Sequence, residues 1–504
     1  MDALFTASRM PTNRVRIIGI LGLYAVLWLG AAIKMAPIPD EAYYWTWSQH
    51  LAPHYFDHPP TIAWVLALST FIFGDGVLGL RLFSLLSIFI CLQFSVLTVR
   101  RLLHYEQSSL RAEADEIVIL LLLGSPMFVI GFLPITPDPI QGALTALAAY
   151  ASIRALEESS QGVWSLLAAF LFVLAVGVKH YAAFIALGAF IGLLFTERGR
   201  LRLRTYWPWL GLVLGLVLLG PWLITDMGQE SSALWQFRRA VYGRSNRGLI
   251  ALPIMFGSLM GTIGPITACL MVLSIVKAKS NRILSFGAAA LLIACLIAVW
   301  AGSGEANWPI SALILIAPLM TIQLLRSQRW LTVFRGFAAV SIVLNAIILL
   351  HAIVPFLPTH KIHDPTKRGL GFSKLAIVAE QMLPGETPGI IVTERYQIAS
   401  LFRYHLRDRI AVHELATPRA RKSQFDLWPR PLLCPDKTIL WVSPGPNVPE
   451  WLTPLGLSRE STRRRVERGV QGRKVLNDWY FTVGRVKSTA LNLIGECGSG
   501  VNSE

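Results

Sequence analysis

Two adjacent carboxylates, Asp40 and Glu41, follow directly on the first long apolar run of the chain. Acidic side chains at the end of a membrane helix are costly unless they face water, a partner or a substrate. A carboxylate in such a place can act as a general base and remove the proton from an attacking hydroxyl group. Glu41 could assist Asp40 in this, or it could only cap a helix. The competing interpretation is a solvated loop with interfacial Tyr and Trp side chains.

A second pair of titratable residues, Asp57 and His58, stands before the turn-forming Pro59-Pro60. The pair could bind a divalent metal ion or a phosphate, and it could equally form a hydrogen-bonded turn. The chain has no CxxC-type spacing of Cys and His that would indicate a metal site elsewhere. We therefore keep a divalent ion at Asp57 and His58 as an open alternative, and no other cofactor is indicated.

Three later segments add polar residues at the ends of apolar runs. Asp138 lies among prolines, Lys179 follows the run that begins at Val163, and Glu305-Ala306-Asn307-Trp308 separates two further runs. Lys179 could bind a phosphate, or its ammonium group could simply reach the membrane interface. The last segment could hold a sugar ring by hydrogen bonds and stacking, although Trp308 also suits an interfacial belt.

Positive charge between Thr225 and Leu249 opposes the usual orientation bias, because this loop falls on the side that we place outside. Its arginines are Arg238, Arg239, Arg244 and Arg247. Arginine suits phosphate oxygens, which indicates a contact with a phosphate or an acidic sugar. An amphipathic segment lying on anionic lipid is the alternative.

The composition indicates a polytopic membrane protein and not a soluble enzyme. Of 504 residues, 54% are hydrophobic and 15% are charged, and the mean hydropathy is +0.52. The net charge of +16 would suit a nucleic-acid partner in a soluble protein. Here much of that charge lies in short loops, where Lys and Arg set membrane orientation, and no nucleic-acid motif is present. We therefore expect no nucleic acid as a partner.

Recurrent apolar runs predict about eleven transmembrane helices. The predicted spans cover roughly residues 15–36, 80–99, 117–133, 140–155, 163–178, 181–195, 207–224, 249–276, 283–301, 309–325 and 330–356. Basic loops between them place the N-terminus in the cytoplasm. Asp40, Asp138, Lys179 and Glu305 then fall together on the opposite face. The segment from Asp40 to Arg81 is predicted as one external loop, in which residues 61–73 are too short for a span and lie along the membrane surface.

The composition changes from about residue 357 onward, where Arg, Pro and Asp are frequent. We predict a membrane domain over 1–356 and a small extracytoplasmic α/β domain over 357–504. Residues 389–393, 438–443 and 479–486 read as strands, and residues 374–382 and 397–404 as helices. Cys434 and Cys497 fall in this domain, where they could form a disulfide or remain two free thiols.

Five short motifs occur in a fixed order along the chain. They are Asp40-Glu41-Ala42-Tyr43-Tyr44-Trp45, Tyr55-Phe56-Asp57-His58-Pro59-Pro60, Thr136-Pro137-Asp138, Val178-Lys179-His180-Tyr181 and Glu305-Ala306-Asn307-Trp308. Over roughly residues 15–330, this order resembles the bacterial branch of the protein-mannosyltransferase-like glycosyltransferases, which includes the lipid A aminoarabinose transferases. The resemblance implies a GT-C fold and inverting transfer of a sugar from a polyprenyl phosphate to an acceptor.

The resemblance also implies roles for individual residues. Asp40 matches the proposed catalytic base, and Asp138 matches a second acid that lines the same cavity. A lipid phosphate is already a good leaving group, so one carboxylate suffices, and positive groups must stabilise the departing phosphate. Lys179 is the first candidate for that charge. The remaining candidate substrate contacts are Tyr43, Asp57, His58, Arg238, Arg239, Glu305, Asn307 and Trp308.

The donor sugar and the acceptor stay open. The aminoarabinose branch would carry a Glu-Lys-Pro-type sequence near Asp57-His58-Pro59, and this chain departs from it. The acceptor could be lipid A, lipopolysaccharide core, another glycolipid or a protein. Besides donor and acceptor, membrane lipid is the expected partner. The resemblance implies a multi-pass protein of the bacterial cytoplasmic (inner) membrane, with its C-terminal domain in the periplasm.

Two other functions compete with sugar transfer. A transporter or flippase of a lipid-linked sugar could use the same acids as a binding or proton-coupling site. Such acids usually lie within spans near the bilayer midplane, whereas the predicted spans here contain almost none. A degenerate scaffold whose C-terminal domain binds a partner is the third possibility, and the presence of Asp40, Asp138 and Lys179 argues against it.

Overall fold

The computed structural model describes most of the chain. The residues outside the description are 1–9, 104–107, 158–161, 229–231, 243–250, 278–280, 302–304, 358–363, 384–388, 408, 416–420, 430–436, 458–462, 468–469, 472–473, 476–477 and 487–504. Cys434 and Cys497 fall in these ranges, so their predicted pairing lies outside the described residues.

The chain forms two compact units. One, the helical unit, consists of Met1–Lys34 and Ala52–Ile353, and the other, the sheet unit, consists of Met35–Leu51 and Val354–Glu504. The predicted domains met at residue 356. The segment Met35–Leu51, which carries Asp40, belongs to the same unit as the C-terminal residues.

The helices account for most of the described chain. In chain order they are α1 (Met10–Lys34), α2 (Pro39–Ser48), α3 (Thr61–Phe73), α4 (Val77–Leu102), α5 (Ser108–Leu123), α6 (Pro126–Val129), α7 (Pro137–Ala155), α8 (Val163–Val176), α9 (Ala182–Leu194), α10 (Glu197–Leu203), α11 (Trp207–Gly228), α12 (Ser232–Tyr242), α13 (Ala251–Ile263), α14 (Pro265–Lys277), α15 (Arg282–Trp300), α16 (Ile310–Leu325), α17 (Gln328–Ile353), α18 (Phe372–Met382) and α19 (Tyr396–Leu406).

The helical unit is that of a multi-pass membrane protein. Among the described residues, five helices are long and apolar enough to cross a bilayer, namely α1 from Val15 onward, α4, α11, α15 and α17. The pairs α9–α10 and α13–α14 bend by 108° and 104°, and would raise the number to seven if each were one span. Helices α3, α8 and α16 are shorter and apolar. The count of about eleven stays a prediction.

Three predicted segments differ from the structure. The span over 249–276 is broken at Gly264, whose φ of 97° is left-handed and is followed by Pro265 at the start of α14. The span over 117–133 stops at Leu123, and α6 starts anew with Ser125 as its N-cap. The external loop over 40–81 contains α2 and α3 and the first turn of α4, and α3 has the predicted bounds.

Close packing of α9 on α15 illustrates how the helical unit is held together. A Cβ at Gly188 would collide with the carbonyl oxygen of Phe286, and one at Gly192 would lie 2.5 Å from that of Arg282. Small residues at such a crossing let two backbones approach closely. Helices α7 and α16 are the most deeply buried, and α7 packs against α4, α8 and α16.

The sheet unit is built on a mixed five-stranded sheet of order β2-β1-β3-β7-β4. The strands are β1 (Ile390–Thr393), β2 (Ala411–Glu414), β3 (Thr438–Ser443), β4 (Arg463–Glu467), β5 (Val470–Gln471), β6 (Lys474–Val475) and β7 (Asp478–Arg485). Strand β1 pairs in parallel with β2 and β3, whereas β7 is antiparallel to β3 and β4. The predicted α/β character of this region is confirmed.

Candidate functional site

The carboxylate of Asp138 is the centre of a buried polar cluster in the helical unit. Its Oδ1 accepts hydrogen bonds from Lys179 Nζ and from the Tyr181 hydroxyl, both at 2.8 Å. Its Oδ2 accepts one from Asn307 Nδ2 at 2.7 Å. Asp138 and Lys179 are only 4% and 7% exposed. The ion pair is therefore held out of water, and three donors fix the orientation of the carboxylate.

Helix ends bring these side chains together. Asp138 lies in the first turn of α7 behind Pro137, a residue with the fixed φ that a helix start requires. The positive end of the helix dipole favours an acid there. Lys179 and Tyr181 lie in the short connection between α8 and α9, two residues apart, and Asn307 lies in the turn before α16.

Hydrogen bonds deeper in the bundle connect this cluster to the helix core. Gln141, one turn beyond Asp138, accepts a hydrogen bond from Ser311 Oγ at 2.6 Å, and both residues are fully buried. The Tyr181 ring lies 5.9 Å from the ring of Trp308, and Lys179 Nζ lies 4.8 Å from the Tyr181 ring centroid. Helices α7 and α16 are thereby tied together directly behind the carboxylate.

A second buried acid, Asp226, lies near the end of α11. Its Oδ1 accepts hydrogen bonds from the backbone N–H of Ser232, at 2.9 Å, and from the Ser232 hydroxyl. His54 Nδ1 lies 3.2 Å from the same oxygen, and His180 Nε2 lies 3.1 Å from Ser232 Oγ. Because His180 directly follows Lys179, the two clusters are neighbours along the chain.

His180 is uncharged at neutral pH. Burial lowers the pKa of its imidazole to about 4, and the nearby charges of His54 and Lys179 act in the same direction against the attraction of Asp226. The sequence analysis missed Asp226 because it assigned this residue to a loop. The signal that pointed to Asp138, an acid at the end of an apolar run, is present at Asp226 too.

The segment that carries the candidates Asp57 and His58 contacts α12. The backbone carbonyl of Asp57 accepts a hydrogen bond from Gln236 Nε2 at 2.8 Å, and the rings of Phe56 and Trp235 are 4.8 Å apart. Asp57 is buried and His58 is half-buried. Across the described ranges, no three His, Cys, Asp or Glu side chains converge as a group that could hold a metal ion.

The remaining candidates of the helical unit are more exposed. Arg238 on α12 and Glu305 are exposed, whereas Trp308 is half-buried against Tyr181. The side chain of Arg239 lies outside the described residues. Arg244 and Arg247 lie outside them as well.

Asp40 and Glu41 form the first turn of α2 in the sheet unit. Pro39 starts the helix, and Glu41 Oε2 accepts a hydrogen bond from the backbone N–H of Ile38 at 3.0 Å. This is the capping role that the sequence offered as one alternative for Glu41. Asp40 is half-buried, whereas Glu41 is fully buried. The two acids therefore differ in access although they are adjacent.

Aromatic side chains of α2 form part of the core of the sheet unit. The Tyr43 hydroxyl accepts a hydrogen bond from the backbone N–H of Gln424 at 2.7 Å, and its ring lies 4.5 Å from that of Tyr396. The rings of Trp45 and Tyr404 are 5.3 Å apart. Tyr43 is thus buried among residues of the C-terminal region, which hold α2 in place.

A carboxyl group with a raised pKa lies close to the contacts of Tyr43. Glu414, at the end of β2, accepts a hydrogen bond from the hydroxyl of Ser423, the residue before Gln424. Burial raises the pKa of Glu414 to about 7, against the opposing effects of the Ser423 hydrogen bond and of Arg421. Arg421 in turn donates a hydrogen bond to the Tyr396 hydroxyl at 2.7 Å.

Comparisons with known proteins agree with this architecture. Residues 57–224 match a family described as dolichyl-phosphate-mannose-protein mannosyltransferase. The crystal structure of ArnT from Cupriavidus metallidurans in the apo state is 14% identical, with a TM-score of 0.63 over 96% of this chain and 99% of that chain. The structure of ArnT from the same organism bound to undecaprenyl phosphate is 14% identical, with a TM-score of 0.61 over 95% and 99%. No curated protein sequence matches the chain.

The two structural likenesses extend over the helical unit and the sheet unit alike, since nearly the whole of both chains is covered. The family match lies within the helical unit. The predicted GT-C fold is confirmed, and so is the resemblance that the ordered motifs indicated.

Proposed function

We propose that the protein is an inverting glycosyltransferase that moves a sugar from a polyprenyl phosphate to an acceptor of the cell envelope. The buried cluster of Asp138, Lys179, Tyr181 and Asn307 carries this proposal, because it places a cation and several donors at one helix end of a GT-C fold. A solved structure with the same fold holds undecaprenyl phosphate. Transfer takes place at the outer face of the bacterial cytoplasmic membrane.

The reaction needs one base and no acid. Asp40 takes the proton of the acceptor hydroxyl as its oxygen forms a bond to the anomeric carbon. The bond from that carbon to the phosphate oxygen breaks, and polyprenyl phosphate leaves with the electron pair. A single displacement inverts the anomeric centre. Asp40 suits this task better than Glu41, whose carboxylate is buried and caps α2.

Lys179 stabilises the negative charge on the leaving phosphate. An ammonium group has three N–H donors, and among the described contacts one of them goes to Asp138. The others can bind phosphate oxygens when the donor is present. Since Asp138 already accepts three hydrogen bonds, its task is to orient Lys179 and Asn307 and not to accept a proton.

The other candidate residues contact the two substrates. His58 binds the donor phosphate, or Asp57 and His58 together would hold a divalent ion beside it, and Arg238 and Arg239 add positive charge. Asn307 and Trp308 hold the sugar by hydrogen bonding and stacking, and Glu305 completes the set. Tyr43, a candidate from the sequence, is buried and positions α2 instead of contacting a substrate. A hexose and a pentose are both compatible with this proposal, as are lipid and protein acceptors.

Substitution of the base tests the proposal. Asp40→Asn keeps the size of the side chain and removes its basicity, so transfer by purified, reconstituted protein should fall by about 10²- to 10⁴-fold. Donor binding should stay within about twofold, because Asp40 meets the acceptor and not the phosphate. The assay offers a panel of polyprenyl-phosphate sugars and an envelope glycolipid extract.

Asp75→Asn, the same change in the connection between α3 and α4, is the matched control and should transfer at the wild-type rate. Unchanged transfer by Asp40→Asn would remove the base role from this residue. Wild-type protein that moves a fluorescent donor across the bilayer without transferring sugar would replace the proposal by the transporter alternative.

A further inference from the structure

An apolar cavity lies at the end of the helix bundle that is farthest from Asp138. It has a volume of about 170 Å³ and is enclosed by α7, α8, α9, α10 and α11. Ala155, at the end of α7, is one of its walls. Helix α7 has 19 residues, which makes it about 28 Å long, close to the thickness of the bilayer core. The cavity wall at Ala155 and the Asp138 carboxylate therefore lie at opposite ends of α7.

The lining of the cavity suits a hydrocarbon chain. Ala168, Ala169 and Phe172 of α8 form one side, and the rings of Phe190 and Trp209 stand at its edge. These two rings are 39% and 45% exposed, so the cavity opens at the apolar outer surface of α9 and α11. A ligand can therefore enter from the lipid.

Positive charge is concentrated beside this opening. The arginines of α10 and of the residue after it are Arg198, Arg200, Arg202 and Arg204. Helix α10 bends by 108° from α9, so it turns across the end of the bundle. Arg202 both lines the cavity and donates a hydrogen bond to the carbonyl of Glu157 at 2.9 Å.

The guanidinium groups of Arg200, Arg202 and Arg204 can bind an anion in addition to their contacts within the protein. Arg200 Nη1 donates to the carbonyl of Leu194 at 3.0 Å, and Arg202 uses one N–H on Glu157. Within the described ranges, no carboxylate forms an ion pair with Arg200, Arg202 or Arg204. A guanidinium has five N–H donors, so one described hydrogen bond each leaves further N–H groups of Arg200 and Arg202 for the oxygens of an anion. The preference of Lys and Arg for cytoplasmic loops would explain the positive charge of this segment. It does not explain why an open apolar cavity lies beside that charge.

We propose that the cavity and the arginines of α10 form a binding site for an anionic phospholipid. One acyl chain fills the space between Phe172, Phe190 and Trp209, and the phosphate binds Arg202 with Arg200 or Arg204. Basic pockets between transmembrane helices recognise anionic headgroups in this way. The site is independent of the sugar-transfer proposal, since it lies at the other end of α7.

Lipid binding to the delipidated, purified full-length protein tests this proposal. Phosphatidylglycerol and phosphatidylcholine of equal chain length are titrated separately, and bound lipid is counted by native mass spectrometry. Phosphatidylglycerol should bind at least tenfold more tightly than phosphatidylcholine, with one molecule retained per protein. Undecaprenyl phosphate is included as a competitor with the same phosphate chemistry but a different chain.

Two variants address the headgroup and the chain separately. Arg202→Gln should weaken phosphatidylglycerol binding about tenfold, as expected for the loss of a charge-assisted hydrogen bond. Ala169→Phe should abolish retention of the lipid by filling the cavity. Arg329→Gln, an exposed arginine at the start of α17, is the matched control and should bind like wild type.

Equal affinity for the two phospholipids would overturn the proposal. Displacement of the retained lipid by undecaprenyl phosphate at low stoichiometric amounts would overturn the choice of a phospholipid as occupant. If Arg202→Gln does not fold, the wild-type comparison of the two headgroups and the Ala169→Phe variant still decide the outcome.

Discussion

At the scale of single residues, Asp138 faces Lys179, Tyr181 and Asn307, whereas Asp226 lies against Ser232 and His54. The first carboxylate therefore holds a lysine ammonium group in place, whereas the second accepts hydrogen bonds from the backbone N–H and the hydroxyl of one serine. The two buried acids differ in the groups that fix their carboxylates.

The buried ion pair leads to a stability prediction. Lys179→Met removes the cation and leaves the Asp138 carboxylate buried without it, which should cost about 3–5 kcal/mol of the free energy of unfolding. In the double variant Lys179→Met/Asp138→Asn no charge remains buried, so most of that stability should return. Sugar transfer should stay lost in both, because the phosphate has lost its cation.

Denaturant unfolding in detergent and the transfer assay measure the two effects separately. Arg100→Gln is the control, because Arg100 pairs with Asp115 at 2.6 Å but is 49% exposed. Its loss should cost no more than about 1 kcal/mol. A double variant that is as unstable as Lys179→Met would contradict the explanation by an unpaired charge.

Residue-level reasoning found the pair but not its whole surroundings. The shared membrane face of Asp138 and Lys179 was predicted from loop charges, and the structure places their side chains in contact. Tyr181 was visible in a motif, but its hydrogen bond to Asp138 depends on the turn between α8 and α9. No sequence pattern indicates where a hydroxyl in such a turn will lie.

At the scale of elements, α2 and the strands around Glu414 make the sheet unit sensitive to pH. The pKa of Glu414 is raised from 4.5 to about 7 by burial, so the folded state binds a proton that the unfolded state has released. The protonated Glu414 therefore contributes to the free energy of unfolding. This contribution is fully present below about pH 4.5 and is lost as the pH rises towards 7. The loss is on the order of 3 kcal/mol for a fully coupled group.

Hydrogen exchange of the sheet unit measures this effect. Protection of β1 and β2 should fall between pH 5 and pH 8 in the wild type, after correction for the intrinsic exchange rate. Glu414→Gln keeps an oxygen for the Ser423 hydroxyl and removes the titration, so its protection should depend little on pH. Glu380→Gln, on α18, should behave like wild type. A pH dependence that survives in Glu414→Gln would assign the effect to another group.

Element prediction succeeded where hydrophobicity alone decides. The bounds of α3 match the prediction, and the strands β1, β3 and β7 were found from short apolar runs. Strand β4 was missed because its sequence, Arg463 to Glu467, is mostly charged, and it is held by pairing with β7. Breaks inside apolar runs, as at Gly264, also escaped, because a single left-handed glycine does not change the hydrophobicity of its segment.

At the scale of the whole molecule, the sequence predicted two domains that follow one another, whereas the compact units are interleaved. Met35–Leu51 lies more than three hundred residues before the strands with which it forms one unit. The interleaving depends on contacts such as those of Tyr43 with Gln424 and Tyr396. Contacts this distant in sequence have no local signature, because an aromatic residue at a helix end equally suits a membrane interface.

The interleaved arrangement predicts how the protein behaves when its chain is cut. A protease site inserted after Phe356 would separate the C-terminal part of the sheet unit covalently from α2. The two pieces should nevertheless copurify, because Tyr43 and Trp45 pack on Tyr396 and Tyr404 of the other piece. Removing two buried aromatic side chains costs about 3–5 kcal/mol each, so Tyr43→Ala/Trp45→Ala should release the C-terminal piece after cleavage.

The matched control for this cut carries Trp300→Ala and Phe356→Ala, which remove two exposed aromatic side chains of the helical and sheet units. Its pieces should stay together. We expect the cut wild type to transfer sugar at nearly the rate of the intact protein and the cut Tyr43→Ala/Trp45→Ala variant to be inactive. This result would show that the residues after Ile353 hold α2 in its active position. Copurification of both pieces in that variant would contradict the prediction. It would show that the packing of Tyr43 and Trp45 is not what holds the C-terminal piece to the helix that carries Asp40.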